Sequence, residues 1–413
     1  MATEQDLSLL LTFREVNPSS PVGLIWCVTA DDVEEAGLNA ICKGFYATWD
    51  RMDECTDFIN RFQYVLVSTP NNEEREQIVN GLIDRISIPL LLSDKAAFRG
   101  RDSVADLFRD YGQDALKNLI YNAVEIQRPG LIDLSTVVLD NAVPKNRVVS
   151  GFVPLDFSTG GFCGGQLSIW TGRRGEGKST LCGQLMDEAI NQGRSVCVYS
   201  GELPAKQFKR SIVRQIAGPE NLKEVPDQFT GRYEYEPRDM DAIDDWLMGH
   251  FYLTDIRQAS AHDEDYIISL FEYAHRRYGC SVFLVDNIMT VALKGEKELG
   301  HFGAQKDFTR RLSAFAKQYD VHVHMVAHPR KAGNKALSAD DIAGANEIGN
   351  LADKLFAVER LEDSTLIRIL KDRQTGSRAK IELEFEEKSC RFFEQGGSPN
   401  KKYSWEAYRD GHG

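Results

Sequence analysis

The stretch TGRRGEGKST at 171–180 carries the densest chemistry in the chain. Gly172, Arg173, Arg174, Gly175, Glu176, Gly177, Lys178 and Ser179, followed by Thr180, fit the spacing G-x-x-x-x-G-K-[ST]. Glycines let the backbone wrap so that successive N–H groups converge on phosphate oxygens. A helix starting near the lysine adds the positive end of its dipole. Lys178 is expected to reach the β- and γ-phosphates of ATP or another NTP, and Ser179 to hold Mg²⁺. Arg173, Arg174 and Glu176 fill the variable positions, where side chains are free to point outward. The structural alternative is a glycine-rich turn that matches by chance. The strand pattern QLSIWT before it and the helical run TLCGQLMDEAI after it argue for the phosphate loop.

Other polar groups stand at the ends of apolar runs. SVFLVDN at 281–287 ends in Asp286, placed to hold magnesium or its water beside the loop. The alternative is an acid that caps a turn. SVCVYSGE at 195–202 ends in Glu202, a candidate general base for the attacking water, or a solvated loop acid. VHVHMVAH at 321–328 ends in His328, which can contact a γ-phosphate and report its loss, or serve structure alone. His322 and His324 read as ordinary strand residues. Further on, Lys371 and Arg373 in LIRILKDRQTGSR lie at a strand end with one orientation if the period is two. Cations there can reach a neighbouring subunit's nucleotide, or form a solvated hairpin tip.

Positioning these groups takes several buried strands side by side, each ending at the phosphate loop, with helices between them: an α/β domain with a mostly parallel sheet. The chain of 413 residues, 42% of them hydrophobic, is long enough for two such domains. Residues 1–126 alternate short apolar runs with helical patterns and read as a smaller α/β domain. Residues 127–150, rich in proline, glycine and polar residues, read as a linker with one short helix or strand. Residues 151–397 form the larger α/β block, and 398–413 a polar, loose C-terminal tail.

No apolar run approaches the roughly 20 residues of a membrane span, and the N-terminus lacks the pattern of a signal peptide or presequence. The eight cysteines are scattered without a C-x-x-C pair, and read as reduced residues of a cytoplasmic protein. A net charge of −13 excludes a surface that is basic all round. Nucleic acid can still bind in a channel that keeps its positive charge local.

These pieces, in this order, resemble the RecA-like core of hexameric replicative DNA helicases, above all the Twinkle and phage primase–helicase group, with DnaB further off. SGFVPLDFSTGGFCGGQLSIWTGRRGEGKST is similar to that family's lead-in to its phosphate loop, VDNIMT to its strand ending Asp-Asn, and MVAHPRK to its histidine motif. ADDIAGANEIGNLADKLFAVER is similar to the segment holding a DNA-facing loop, and ILKDRQTG to the strand with an arginine finger. The likeness covers about 150–395. It implies Lys178, Ser179, Glu202, Asp286 and His328 in one subunit's site, with Lys371 and Arg373 serving the next subunit's nucleotide. It also implies a ring, usually of six, around single-stranded DNA, with Arg330, Lys331, Asn334 and Lys335 lining the pore. Other replication proteins are expected partners. Asn346, Glu347 and Gly349 depart from the family by standing where several relatives carry lysine or arginine.

The first block, from GFYATWDRMDECTDFINRFQYVLVSTP onward, resembles a toprim domain. That fold binds Mg²⁺ for primer synthesis with a glutamate and an Asp-x-Asp pair. Here the Asp-x-Asp place reads Thr69-Pro70-Asn71, and the glutamate place falls near Thr29 and Ala30, with Asp31 and Asp32 displaced. The fold is expected without the primase chemistry. The whole predicts an NTP-driven helicase of the replication fork. A filament-forming RecA-like recombinase or mediator, and a regulatory ATPase that works without DNA, are the other readings.

Overall fold

Short apolar or alternating runs bounded by polar or glycine turns form most strands of the two larger sheets, and the alternation of their side chains builds a core on both faces of those sheets. The computed structural model describes residues 23–26, 42–45, 56–57, 59–69, 72–126, 130–132, 134–137, 146–226, 233–328 and 345–412. The chain divides into two compact units, Met1–Leu139 and Asp140–Gly413.

Among the described residues, the N-terminal unit holds strands β1 (Gly23–Trp26), β2 (Cys42–Phe45), β3 (Val65–Val67), β4 (Leu90–Leu92) and β5 (Val124–Glu125). Its helices are α1 (Asn72–Leu82) and α2 (Val104–Tyr121). The sheet order is β2-β1-β3-β4-β5, parallel except for β5. Val65 and Val67 face Ile78 and Leu82 of α1, whereas Leu66 between them faces Val104, Leu107 and Leu116 of α2. Ser103 starts α2 by accepting a hydrogen bond from the Asp106 N–H.

The second unit contains β6 (Gln166–Thr171), β7 (Ser195–Ser200), β8 (Leu222–Pro226), β9 (Tyr233–Pro237), β10 (Phe251–Leu253), β11 (Cys280–Asp286) and β12 (His322–Ala327). After these come β13 (Lys354–Arg360), β14 (Thr365–Asp372), β15 (Lys380–Glu386) and β16 (Arg391–Glu394). The helices are α3 (Val153–Thr159), α4 (Lys178–Asn191), α5 (Ala205–Ala217), α6 (Met240–Leu247), α7 (Glu264–Tyr278), α8 (Glu296–Tyr319) and α9 (Ala345–Leu351). Among the described residues, a nine-stranded sheet runs β10-β7-β11-β12-β6-β13-β14-β15-β16. Its first six strands are parallel and its last three antiparallel. Val196 and Val198 pack toward Leu181 and Ile212 on one face, Cys197 and Tyr199 toward Phe271 and Phe308 on the other. Burying each such side chain contributes roughly 1.5–3 kcal/mol. This is the expected mostly parallel α/β architecture flanked by helices.

His322 and His324 are buried residues of β12, as read from the sequence. His322 Nδ1 lies 2.8 Å from the Cys163 carbonyl and Nε2 3.0 Å from Ser168 Oγ, while the Trp170 indole N–H donates to His324 Nδ1 at 3.1 Å. Burial pushes the His322 imidazole down to about 3, so it stays neutral. Cys163, Cys182, Cys197 and Cys280 are buried and free. Among the described residues, no helix is long and apolar enough to cross a membrane.

The expectation of a loose tail is corrected. Tyr403 and Trp405 are buried, and Trp405 donates its indole N–H to the Ile216 carbonyl at 2.9 Å. Tyr403 OH donates to Glu188 at 2.9 Å, and Trp246 stacks on the Tyr403 ring. The stretch is polar in composition, but two aromatic anchors are enough to dock it on α4, α5 and α6.

Candidate functional site

β6 carries the chain into the 171–180 loop, and α4 starts at Lys178. Two glycines are sterically required there. A Cβ on Gly172 would stand 2.4 Å from the Val358 carbonyl oxygen. Gly177 has φ +85°, and its Cβ would meet the Phe392 ring at 2.9 Å. The loop curls so that Lys178, buried at 5% exposure, donates to the Gly172 and Arg173 carbonyls at 2.7 Å each. Burial lowers the lysine pKa, and Glu176 and Asp286 oppose the shift. Arg173 and Arg174 are exposed, as expected. Glu176 is not directed outward: its carboxylate accepts from the Arg173 N–H across the loop, and burial raises its pKa.

Three parallel strands end beside this loop. Ser179 Oγ donates to Asp286 Oδ1 at 2.9 Å, joining the first turn of α4 to the end of β11. Asp286 is 5% exposed, and burial pushes its carboxyl up to about 6 against the hydrogen bond from Ser179. A buried carboxylate held short of compensating charge, next to a hydroxyl, fits a hard divalent cation. Glu202 lies just past β7 and is exposed. Asn287, following Asp286, donates from Nδ2 to Glu202 Oε1 at 2.6 Å and lies 3.3 Å from His328 Nε2. His328 follows β12, and burial, then the Lys178 cation, lowers its pKa. The structure therefore brings Lys178, Ser179, Glu202, Asp286 and His328 into one cluster.

Lys371 and Arg373 lie elsewhere. β14 runs antiparallel to β13, so its last residues stand at the sheet edge opposite the loop. Asp372 pairs with Lys354, while the loop touches the strand at Val358, roughly 13 Å further along. Lys371 Nζ donates to the Gly349 and Asn350 carbonyls at 2.9 and 3.0 Å. Arg373, half-exposed, donates to the Asn350 carbonyl at 2.5 Å and pairs with Asp353 at 3.4 Å. Both cations share one side, as a period of two requires, and both cap the C-terminus of α9. Arg330, Lys331, Asn334 and Lys335 lie outside the described residues.

Other features were not apparent in the sequence. A cleft of about 290 Å³ opens beside Gly177 and Thr180, walled by Arg360, Thr365, Phe385 and Phe392. Its walls come from β13 to β16, and only the antiparallel return of those strands brings them to the loop. Lys354 and Asp372 form a fully buried ion pair at 2.9 Å, with Lys354 also donating to the Thr159 carbonyl. The Asn287 bridge was legible only as the second letter of an Asp-Asn pair.

Residues 147–394 match the family model described as the DnaB-like helicase C-terminal domain. Among solved structures, the chain is similar to a DnaB-like replicative helicase studied with its interactions with primase. Identity is 16%, covering 68% of this chain and 71% of that one, with a TM-score of 0.53. A solved ATPase domain matches at 17% identity over 61% of this chain and 93% of that one, TM-score 0.49. A KaiC-like protein of Pyrococcus horikoshii matches at 15% identity over 60% and 100%, TM-score 0.43. The family model spans more than half of the chain, and takes in the loop, all three strand ends and both distant cations. The protein belongs to the DnaB-like helicase C-terminal domain family.

Proposed function

We propose that the chain is an NTP-driven DNA helicase that closes into a ring, as in the Twinkle and phage primase–helicase group, and moves along single-stranded DNA. Family membership favours this over a filament-forming recombinase and over an ATPase without DNA. One observation carries the ring: Lys371 and Arg373 stand at the sheet edge opposite their own phosphate loop. A cation so placed completes a nucleotide site only on another copy.

Within one site, the loop amides and Lys178 would hold the phosphates. Ser179 and Asp286 would hold Mg²⁺, which supplies charge neutralisation at the phosphates when bound. Glu202 takes the proton of the attacking water as the bond from the γ-phosphorus to its bridging oxygen breaks. His328 contacts the γ-phosphate, and the neighbour's Arg373, with Lys371, offsets the charge that builds there, an effect worth about 10³–10⁵ in rate. Arg330, Lys331, Asn334 and Lys335 would face the DNA.

The N-terminal unit is proposed as a toprim-like fold without primase chemistry. Its parallel strands β1 to β4 support the fold, and buried Thr69, where an aspartate would stand, supports the loss. Primer synthesis with any divalent metal would contradict this.

The test of the shared site mixes Arg373→Ala with Glu202→Gln subunits. Each variant alone binds nucleotide and retains at most trace turnover, and Lys178→Ala alone abolishes hydrolysis. Mixed rings regain turnover wherever an intact base meets an intact finger. Activity that follows simple dilution at every ratio refutes the shared site. Imaging with nucleotide and forked DNA distinguishes closed rings from open filaments.

A further inference from the structure

Asn287 has no part in the roles above, yet its side chain touches two of the groups that do. β11 lies between β7 and β12 in the sheet, so a residue just past its end stands between Glu202 and His328. The carboxamide oxygen of Asn287 accepts from the Met289 N–H at 2.9 Å and caps the turn Ile288–Thr290. This fixes the nitrogen on the opposite side, where it donates to Glu202 Oε1 at 2.6 Å and meets His328 Nε2 at 3.3 Å. A carboxamide nitrogen has two hydrogens, one for a carboxylate and one for a neutral imidazole nitrogen.

The turn is anchored from behind. Thr290 Oγ1 donates to the Asn287 carbonyl at 2.8 Å, and Tyr199 OH of β7 donates to the Thr290 carbonyl at 3.0 Å. His262 Nδ1 lies 2.8 Å from the same tyrosine hydroxyl. The amide is therefore held by the scaffold rather than by the groups it joins.

We propose that Asn287 is a positioning residue that holds Glu202 and His328 in one fixed arrangement, so that the carboxylate and the imidazole keep their register at the phosphate. This rests on the base and sensor roles given above. Neither partner can shift without lengthening or breaking a bond to one rigid amide. Its side-chain nitrogen is taken up by these two neighbours, and through them it acts.

The test is Asn287→Asp. It keeps the size and the cap on Met289, removes both donors and adds a negative charge beside Glu202, for which the neutral Asn287→Ser is the control. The nucleotide dissociation constant is expected to stay within about twofold, while kcat falls about 10- to 100-fold, the worth of a hydrogen bond to a charged group. Against the trace turnover of a Glu202→Gln background the same change causes no further loss, because the effect runs through the carboxylate. Asn287→Ser, whose hydroxyl also caps, repeats the loss if the aspartate variant folds poorly. Turnover within twofold of wild type in either variant, or equal losses in both backgrounds, overturns the bridge. If Glu202→Gln alone keeps full turnover, the base assignment falls and the bridge falls with it. If Glu202→Gln is inactive while Asn287→Asp is fully active, only the bridge falls.

Discussion

Replacing Asp286 by asparagine should make the protein more stable and less able to bind a metal nucleotide. The carboxyl is buried, and its pKa is raised from 3.8 to about 6. One pKa unit is worth about 1.4 kcal/mol, so ionising Asp286 in the folded protein costs about 3 kcal/mol. The sign follows from proton linkage. A folded pKa above the unfolded one means that the native state binds the proton more tightly. Below pH 3.8 the group is neutral in both states and costs nothing. Stability is lost as pH rises from about 4 to 6, and the full cost remains at neutral pH. The asparagine side chain would keep an oxygen to accept from Ser179 and would carry no charge. Thermal melts of the two proteins in EDTA should differ by about 6 °C at pH 7.5, taking roughly 2 °C per kcal/mol for a unit of this size. At pH 5 the gap should fall to about half. Magnesium nucleotide should stabilise the wild type more than the variant. A gap that is constant across pH, or a variant that melts lower at pH 7.5, refutes the reasoning.

Glu176→Gln removes a negative charge beside Lys178 while its amide oxygen can still accept from the Arg173 N–H, so nucleotide should bind several-fold more tightly, by roughly 1 kcal/mol of relieved repulsion (a fluorescent analogue titration reads this, and weaker binding counts against it). Trp405→Ala should destabilise the second unit by about 3–5 kcal/mol, as for other buried aromatic truncations. Denaturant midpoints measure the loss, and an unchanged midpoint would show that the C-terminal stretch is not anchored in solution.

The cluster was legible because its groups sit where local pattern is strongest. The apolar run before Asp286 announces a buried strand, and its end announces the acid. The same holds for Glu202 after SVCVYS and for His328 after HVHMVA. Glycine spacing did the rest at Gly172 and Gly177. What remained hidden depends on partners far away in sequence. Phe392 reads as one more strand aromatic until β16 returns beside Gly177. Trp405 lies in a polar stretch, and composition weighed more than the two aromatics that dock it. Glu176 occupies a variable position, so only loop geometry shows it turning inward. Asn287 has a neutral side chain beside a more conspicuous acid, and nothing in the spacing says which way an amide faces. Lys371 and Arg373 were placed at a strand end, but which end of the sheet depends on the antiparallel direction of β14.

Helix α4, which follows the 171–180 loop, takes part of its packing from chain made much later. Gln184 of α4 exchanges two hydrogen bonds with the Phe392 backbone, Lys401 pairs with Glu188, and Arg391 donates to the carbonyls of Gln215 and Ile216. During synthesis those seats stay open for some two hundred codons. A nascent chain halted before residue 391 would leave α4 and α5 exposed to proteases and chaperones. The 171–180 loop would acquire its final support only once the ribosome has released the segment through Trp405.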